Sequence, residues 1–253
     1  MASNPQKLNK LFSKTKRVFG IRILGTSNVE QERFNHAANV LHQYLDNNQD
    51  GKPDTKKLVR KLKRNKAAMT LFENEAELEN FLEHHEHKLD KAKINFQDLY
   101  NDEIILASDN SNRFDATLEE VFHLICDYGY SKSDPKTFGY TKDSIIGELM
   151  TEARGGHFKK TPKKYPKKAY YTYEDKHCDY NCQIAEYLYW GVTSNLGAQD
   201  GPGRYAEIKD EWTGHRAVPD GRRARPECSP SARWQRRCRP VTSVRCGSAS
   251  SGA

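Results

Sequence analysis

The chain is 253 residues long, 36% hydrophobic, and polar overall with a mean hydropathy of −0.91. That length fits one large domain or two small ones, and no apolar run reaches the roughly 18 residues of a transmembrane helix. The formal charge of +7 suggests nucleic acid, yet residues 1–213 are neutral and residues 214–253 carry the whole excess, so no specific nucleic-acid partner is expected.

In chain order, residues 1–17 read as a basic extension without an apolar h-region. No signal peptide is visible, so the chain as written reads as cytoplasmic, and as secreted if its N-terminus is truncated. Residues 18–213 read as one globular domain. Val18–Leu24 is short, β-branched and bounded by glycine, which predicts a strand. Residues 29–45 place Phe34, Ala37, Ala38, Leu41 and Leu45 on one helical face. Residues 55–66 predict a basic helix, 67–72 a second strand, and 75–88 a charged helix. Ile104–Ala107 is a third short apolar segment. Thr117–Tyr128, Thr141–Ala153 and Asn181–Leu196 predict helices, with a Lys/Pro-rich loop at 161–168. Strands and helices alternate early and helices dominate late, so the fold class is α/β or α+β with a small sheet. Residues 214–253 hold nine Arg and no Lys, with Pro, Ser and Gly, and read as a disordered tail or an altered reading frame.

The turn Asp46-Asn47-Asn48-Gln49-Asp50-Gly51-Lys52-Pro53-Asp54 carries oxygen side chains at its first, third, fifth and ninth places and glycine at its sixth. Alternate oxygens on a tight turn can converge on Ca²⁺, which makes Asp46, Asn48, Asp50 and Asp54 candidate ligands. Lys57 stands where a calcium loop has its bidentate Glu, so the affinity expected is weak. The other reading is a polar turn that caps the next helix.

Residues 117–125 read TLEEVFHLI. Glu119 and His123 are four apart and project from one helical face, with Glu120 on its shoulder. That is the layout of H-E-x-x-H, where two His hold Zn²⁺ and the Glu between them activates water. Here a carboxylate replaces the first His; it can still ligate zinc but weakens the ion's Lewis acidity. A third ligand is needed, and Glu186 is the one charge in the apolar stretch 181–199. A carboxylate desolvated there is paired, metal-bound or catalytic. Glu148 and Glu152, four apart on the preceding helix, are the runners-up for that third ligand but read more as a solvated face. Cys178 and Cys182 beside His177 admit a soft metal, a disulfide or free thiols. His84, His85 and His87 read as solvated, and His36 as a core histidine.

The blocks HAANVLHQYLDNNQDGKPD, FDATLEEVFHLI, EARGGHF and CQIAEYLYWGVTSNLGAQ, in that order, resemble an uncharacterised family of marine invertebrate and algal proteins over roughly residues 18–212. The resemblance implies a D-N-x-x-D-G turn, an L-E-E-x-x-H helix and an E-Y-x-Y-W helix ending L-G-A-Q, and many of that family's members look secreted. It implies no activity. The residues themselves predict a single zincin-like domain with Glu119, His123 and Glu186 on a metal and Glu120 as general base, acting on a peptide or protein substrate. The alternative is a non-enzymatic calcium- or cation-binding protein.

Overall fold

The computed structural model describes residues 11–214, so the Arg-rich tail and residues 1–10 of the N-terminal extension lie outside it. The chain divides into two compact units between Gly147 and Glu148. The class is mixed α and β, as expected.

The first unit is built on a four-stranded sheet ordered β1 (Lys14–Val18), β2 (Ile21–Gly25), β3 (Ala67–Phe72), β4 (Asn95–Tyr100). β1 and β2 form an antiparallel hairpin, whereas β2, β3 and β4 run parallel. Parallel neighbours need long crossovers. Helices α1 (Gln31–Leu45) and α2 (Lys56–Arg64) supply the first, and α3 (Glu75–Ala92) the second. β3 is buried along its whole length, as a central strand covered on both faces must be. Its period of two sends Ala67, Met69 and Leu71 into the core with α1, α2 and α4 (Thr117–Ile125), and Ala68 and Phe72 into the core with α3.

Two expectations are corrected. The single strand over 18–24 is a hairpin, because Phe19 and Gly20 both have positive φ, 47° and 88°. Both central residues of a two-residue turn take that conformation when it matches strand twist. Its outer strand starts at Lys14, inside the stretch read as an extension, and its Lys and Arg side chains suit an unpaired edge. The short apolar segment 104–107 forms no strand. The last strand is instead NFQDLY of β4, held by its ladder to β3, with Leu99 buried in one core and Phe96 and Tyr100 packed against the other.

The turn Asp46–Asp54 joins α1 to α2. Asp46 is fully buried, and its carboxylate accepts the N–H groups of Asp50 and Gly51 at 3.1 and 2.9 Å. Asn48 accepts from Asp50, Asp50 from Lys52, and Asp54 from Asn47. Each of the four candidate calcium ligands thus accepts a backbone donor of the turn itself, as Asx turns do.

α4 continues into a wider turn over Cys126–Tyr130, then the short turns α5 (Ser131–Ser133) and α6 (Pro135–Phe138). α7 (Ile145–Ala153) follows. In the second unit, α8 (Tyr180–Leu196) begins at Asp179, whose side chain accepts the N–H groups of Asn181 and Cys182. Cys178 and Cys182 are joined in a disulfide across that start. Tyr171, Tyr187 and Trp212 pack ring to ring, and Tyr171 donates to the Gln183 carbonyl at 2.7 Å. The short α9 (Arg204–Ile208) leads to Trp212.

Asp115 fixes the start of α4. It accepts the N–H groups of Thr117 and Ile105, and meets His36 Nε2 of α1 at 2.7 Å. His36 is half-buried and satisfied by this contact with Asp115, in keeping with a histidine that packs rather than ligates. Burial opposes ionisation of Asp115, but the bonds from His36, Thr117 and Ile105 outweigh it and hold the carboxyl below its ordinary value. Its stabilising contribution is thus full above about pH 4 and is lost as pH falls through the folded-state value. Asp115→Asn should destabilise the fold by about 1–2 kcal/mol at neutral pH. The gap from wild type should close in acid, as read from urea midpoints across pH. The disulfide closes a very short loop, and chain entropy gives it about 2 kcal/mol. Cys182→Ser should lower stability by that amount, and added reductant should then have no further effect on the variant.

Candidate metal centre

α4 owes its orientation to Val121, Leu124 and Ile125, which are buried in the core with β3 and α1. With that face fixed, Glu119 and His123 stand one turn apart on another. His123 is 6% exposed, and Glu119 and Glu120 are half-buried. The Glu120 carboxylate accepts a hydrogen bond from Gln97 Nε2 at 2.6 Å, and its Oε2 lies 3.8 Å from His123 Nδ1. The latter is an ion-pair distance and too long for a hydrogen bond.

Glu120 sits in a field of other acids. Asp98, Glu103 and Asp127 are all held above the ordinary carboxylate range, chiefly by burial, and in each case the Glu120 charge adds to the effect. Tyr100 and Tyr140 work against this by hydrogen bonding to Asp98 and Asp127 respectively. Concentrated negative potential of this kind favours a cation nearby.

Glu186 lies in the second turn of α8, one turn after Cys182, so the disulfide and the Asp179 cap brace the helix that carries it. It is half-buried, while Ile184, Ala185, Tyr187 and Leu188 around it are buried. The expectation of a lone acid on an otherwise apolar helix holds, with partial rather than complete desolvation. Its charge, second to burial, pushes the Tyr171 hydroxyl well above its ordinary value.

Glu119 and His123 each offer one ligand atom from the same side of α4 in the first unit, and Glu186 offers one from α8 in the second, all residue types that can ligate a metal ion. Glu148 and Glu152 are exposed, as expected. His84 and His87 are also exposed, and His85 is half-buried with its ring against Phe81. The pairing of Cys178 with Cys182 resolves their three sequence readings in favour of the disulfide. Sequence reasoning missed Gln97, because the strand that carries it was not recognised. It also missed Asp115, whose signal was an acid two residues before a helical run.

No family model, curated protein or solved structure matches the chain.

Proposed function

We propose that Glu119, His123 and Glu186 hold a divalent metal ion, zinc in the simplest case, and that the centre is hydrolytic. The observation that carries this reading is the placement of Glu119 and His123 one turn apart on α4, beside a Glu120 carboxylate that Gln97 holds by a hydrogen bond. An ion held by three protein ligands keeps a coordination position open, and there it supplies a Lewis acid that polarises a carbonyl and lowers the pKa of water. The rest of the chemistry belongs to the chain. Glu120 is the general base that takes the proton of the attacking water. Gln97, donating to Glu120, fixes that carboxylate's rotamer. With His123 ligating through Nε2, its Nδ1 faces Glu120, and a neighbouring carboxylate orients a ligating imidazole. The substrate class is a peptide or protein amide. Two carboxylates neutralise a divalent ion more than two imidazoles do, so turnover should be slower than at a His-rich centre.

Protein purified without a His tag or chelator should carry about one equivalent of divalent metal per chain by elemental analysis. E119A/H123A should abolish it, whereas D46A/D50A should leave it in place. E120Q should keep the metal and lose hydrolysis of a peptide library by roughly a hundredfold or more. No bound metal after adding back zinc, or metal retained by E119A/H123A, would overturn the reading.

A further inference from the structure

The Lys/Pro-rich segment that follows α7 is independent of the metal centre. Residues 159–168 read KKTPKKYPKK, three lysine pairs at a spacing of four. All six lysines are exposed, and none forms an ion pair with any described residue. No acid falls between His157 and Ala169, so the positive charge is uncompensated along the loop.

The residues between the pairs are pinned. Arg154, 0% exposed, donates through Nη1 to the Phe158 carbonyl at 3.0 Å and lies over both the Phe158 and Tyr165 rings. The Thr161 hydroxyl donates to the Asp175 carbonyl at 3.0 Å. The Tyr165 hydroxyl donates to the Tyr173 carbonyl and accepts the Tyr173 N–H, at 3.0 and 3.2 Å. Pro166 packs over Gly155, whose φ of +70° and lack of Cβ admit the ring; a Cβ there would meet it at 3.1 Å. Pinned positions thus alternate with lysine pairs, and the loop holds its charges outward on a fixed frame. Pre-ordering of this kind reduces the entropy lost on binding.

We propose that this loop binds an anionic polysaccharide, with sulfate or carboxylate groups meeting the lysine pairs. Three observations select that ligand. The exposed side chains of 159–168 are lysine and proline, with no exposed aromatic ring for bases to stack on. The loop exposes no large apolar residue that could enter a bilayer. The Cys178–Cys182 disulfide in the same unit belongs to oxidising compartments, where acidic polysaccharides are the abundant polyanions.

The test uses the full chain, so residues 214–253 are common to every variant and differences report the loop. Heparin, alginate, duplex DNA and phosphatidylserine vesicles are titrated in parallel at several salt concentrations. K159Q/K160Q/K163Q/K164Q/K167Q/K168Q should weaken binding of heparin or alginate by roughly tenfold or more and flatten its salt dependence. K52Q/K56Q/K57Q/K63Q/K88Q/K91Q, an equal loss of exposed charge elsewhere, should change it far less. Tyr165→Phe keeps every charge but unties the frame, and should weaken binding several-fold with circular dichroism unchanged. Stronger binding by heparin assigns sulfate, and by alginate carboxylate. Equal losses in the two lysine variants, an unaffected Tyr165→Phe, or tighter loop-dependent binding of DNA or vesicles would overturn the proposal.

Discussion

Asp115 decides where α4 begins, and everything proposed for its outer face depends on that choice. One carboxylate satisfies the N–H of Thr117 in the first turn, ties down Ile105 in the preceding loop, and meets His36 on α1. The first backbone donors of a helix have no partner within it, so an acid placed there stabilises the start and fixes its register. A shift of one residue would rotate Glu119 and His123 by about 100° and bring core side chains to the surface. Val121, Leu124 and Ile125 resist the same shift from below. Glu119 and His123 therefore stand on an element clamped at its start and along its buried face, the kind of support that a precise ligand pair needs.

The acids around Glu120 work against folding. Asp98, Glu103 and Asp127 are held above the ordinary carboxylate range, burial first among the causes. Groups shifted in that direction bind protons more tightly in the folded chain, so they favour the fold in acid and oppose it as pH rises. Stored electrostatic strain of this kind is typical of functional sites. A cation held at the proposed centre would relieve part of it at neutral pH.

The sequence exposed the features that follow from spacing along one element. Glu119 and His123 could be paired because a helix brings residues four apart together. Glu186 stood out as the single charge in an apolar run. Features set by partners distant in sequence stayed hidden. β1 and β4 are edge strands rich in polar residues, whose identity comes from ladders to β2 and β3, so neither shows the β-branched run that marked Val18–Leu24. Without β4, Gln97 had no reason to be placed beside Glu120. The acidic turn shows a third case. Oxygens at alternate places suit both a cation and a set of Asx turns, and only the hydrogen bonds of Asp46, Asn48, Asp50 and Asp54 display the second use.

The same limit applies to Cys178 and Cys182, whose spacing fits a disulfide, a soft-metal pair or two thiols until their Cα atoms are seen 5.3 Å apart. The central claim is the donor set at the metal. X-ray absorption at the zinc edge of the metal-loaded protein reads that set directly. The account predicts a light-atom shell of nitrogen and oxygen at about 2.0–2.1 Å with the outer-shell signature of one imidazole, and loss of one oxygen in Glu186→Ala. A sulfur shell, several imidazoles, or a spectrum that Glu186→Ala leaves unchanged would contradict it.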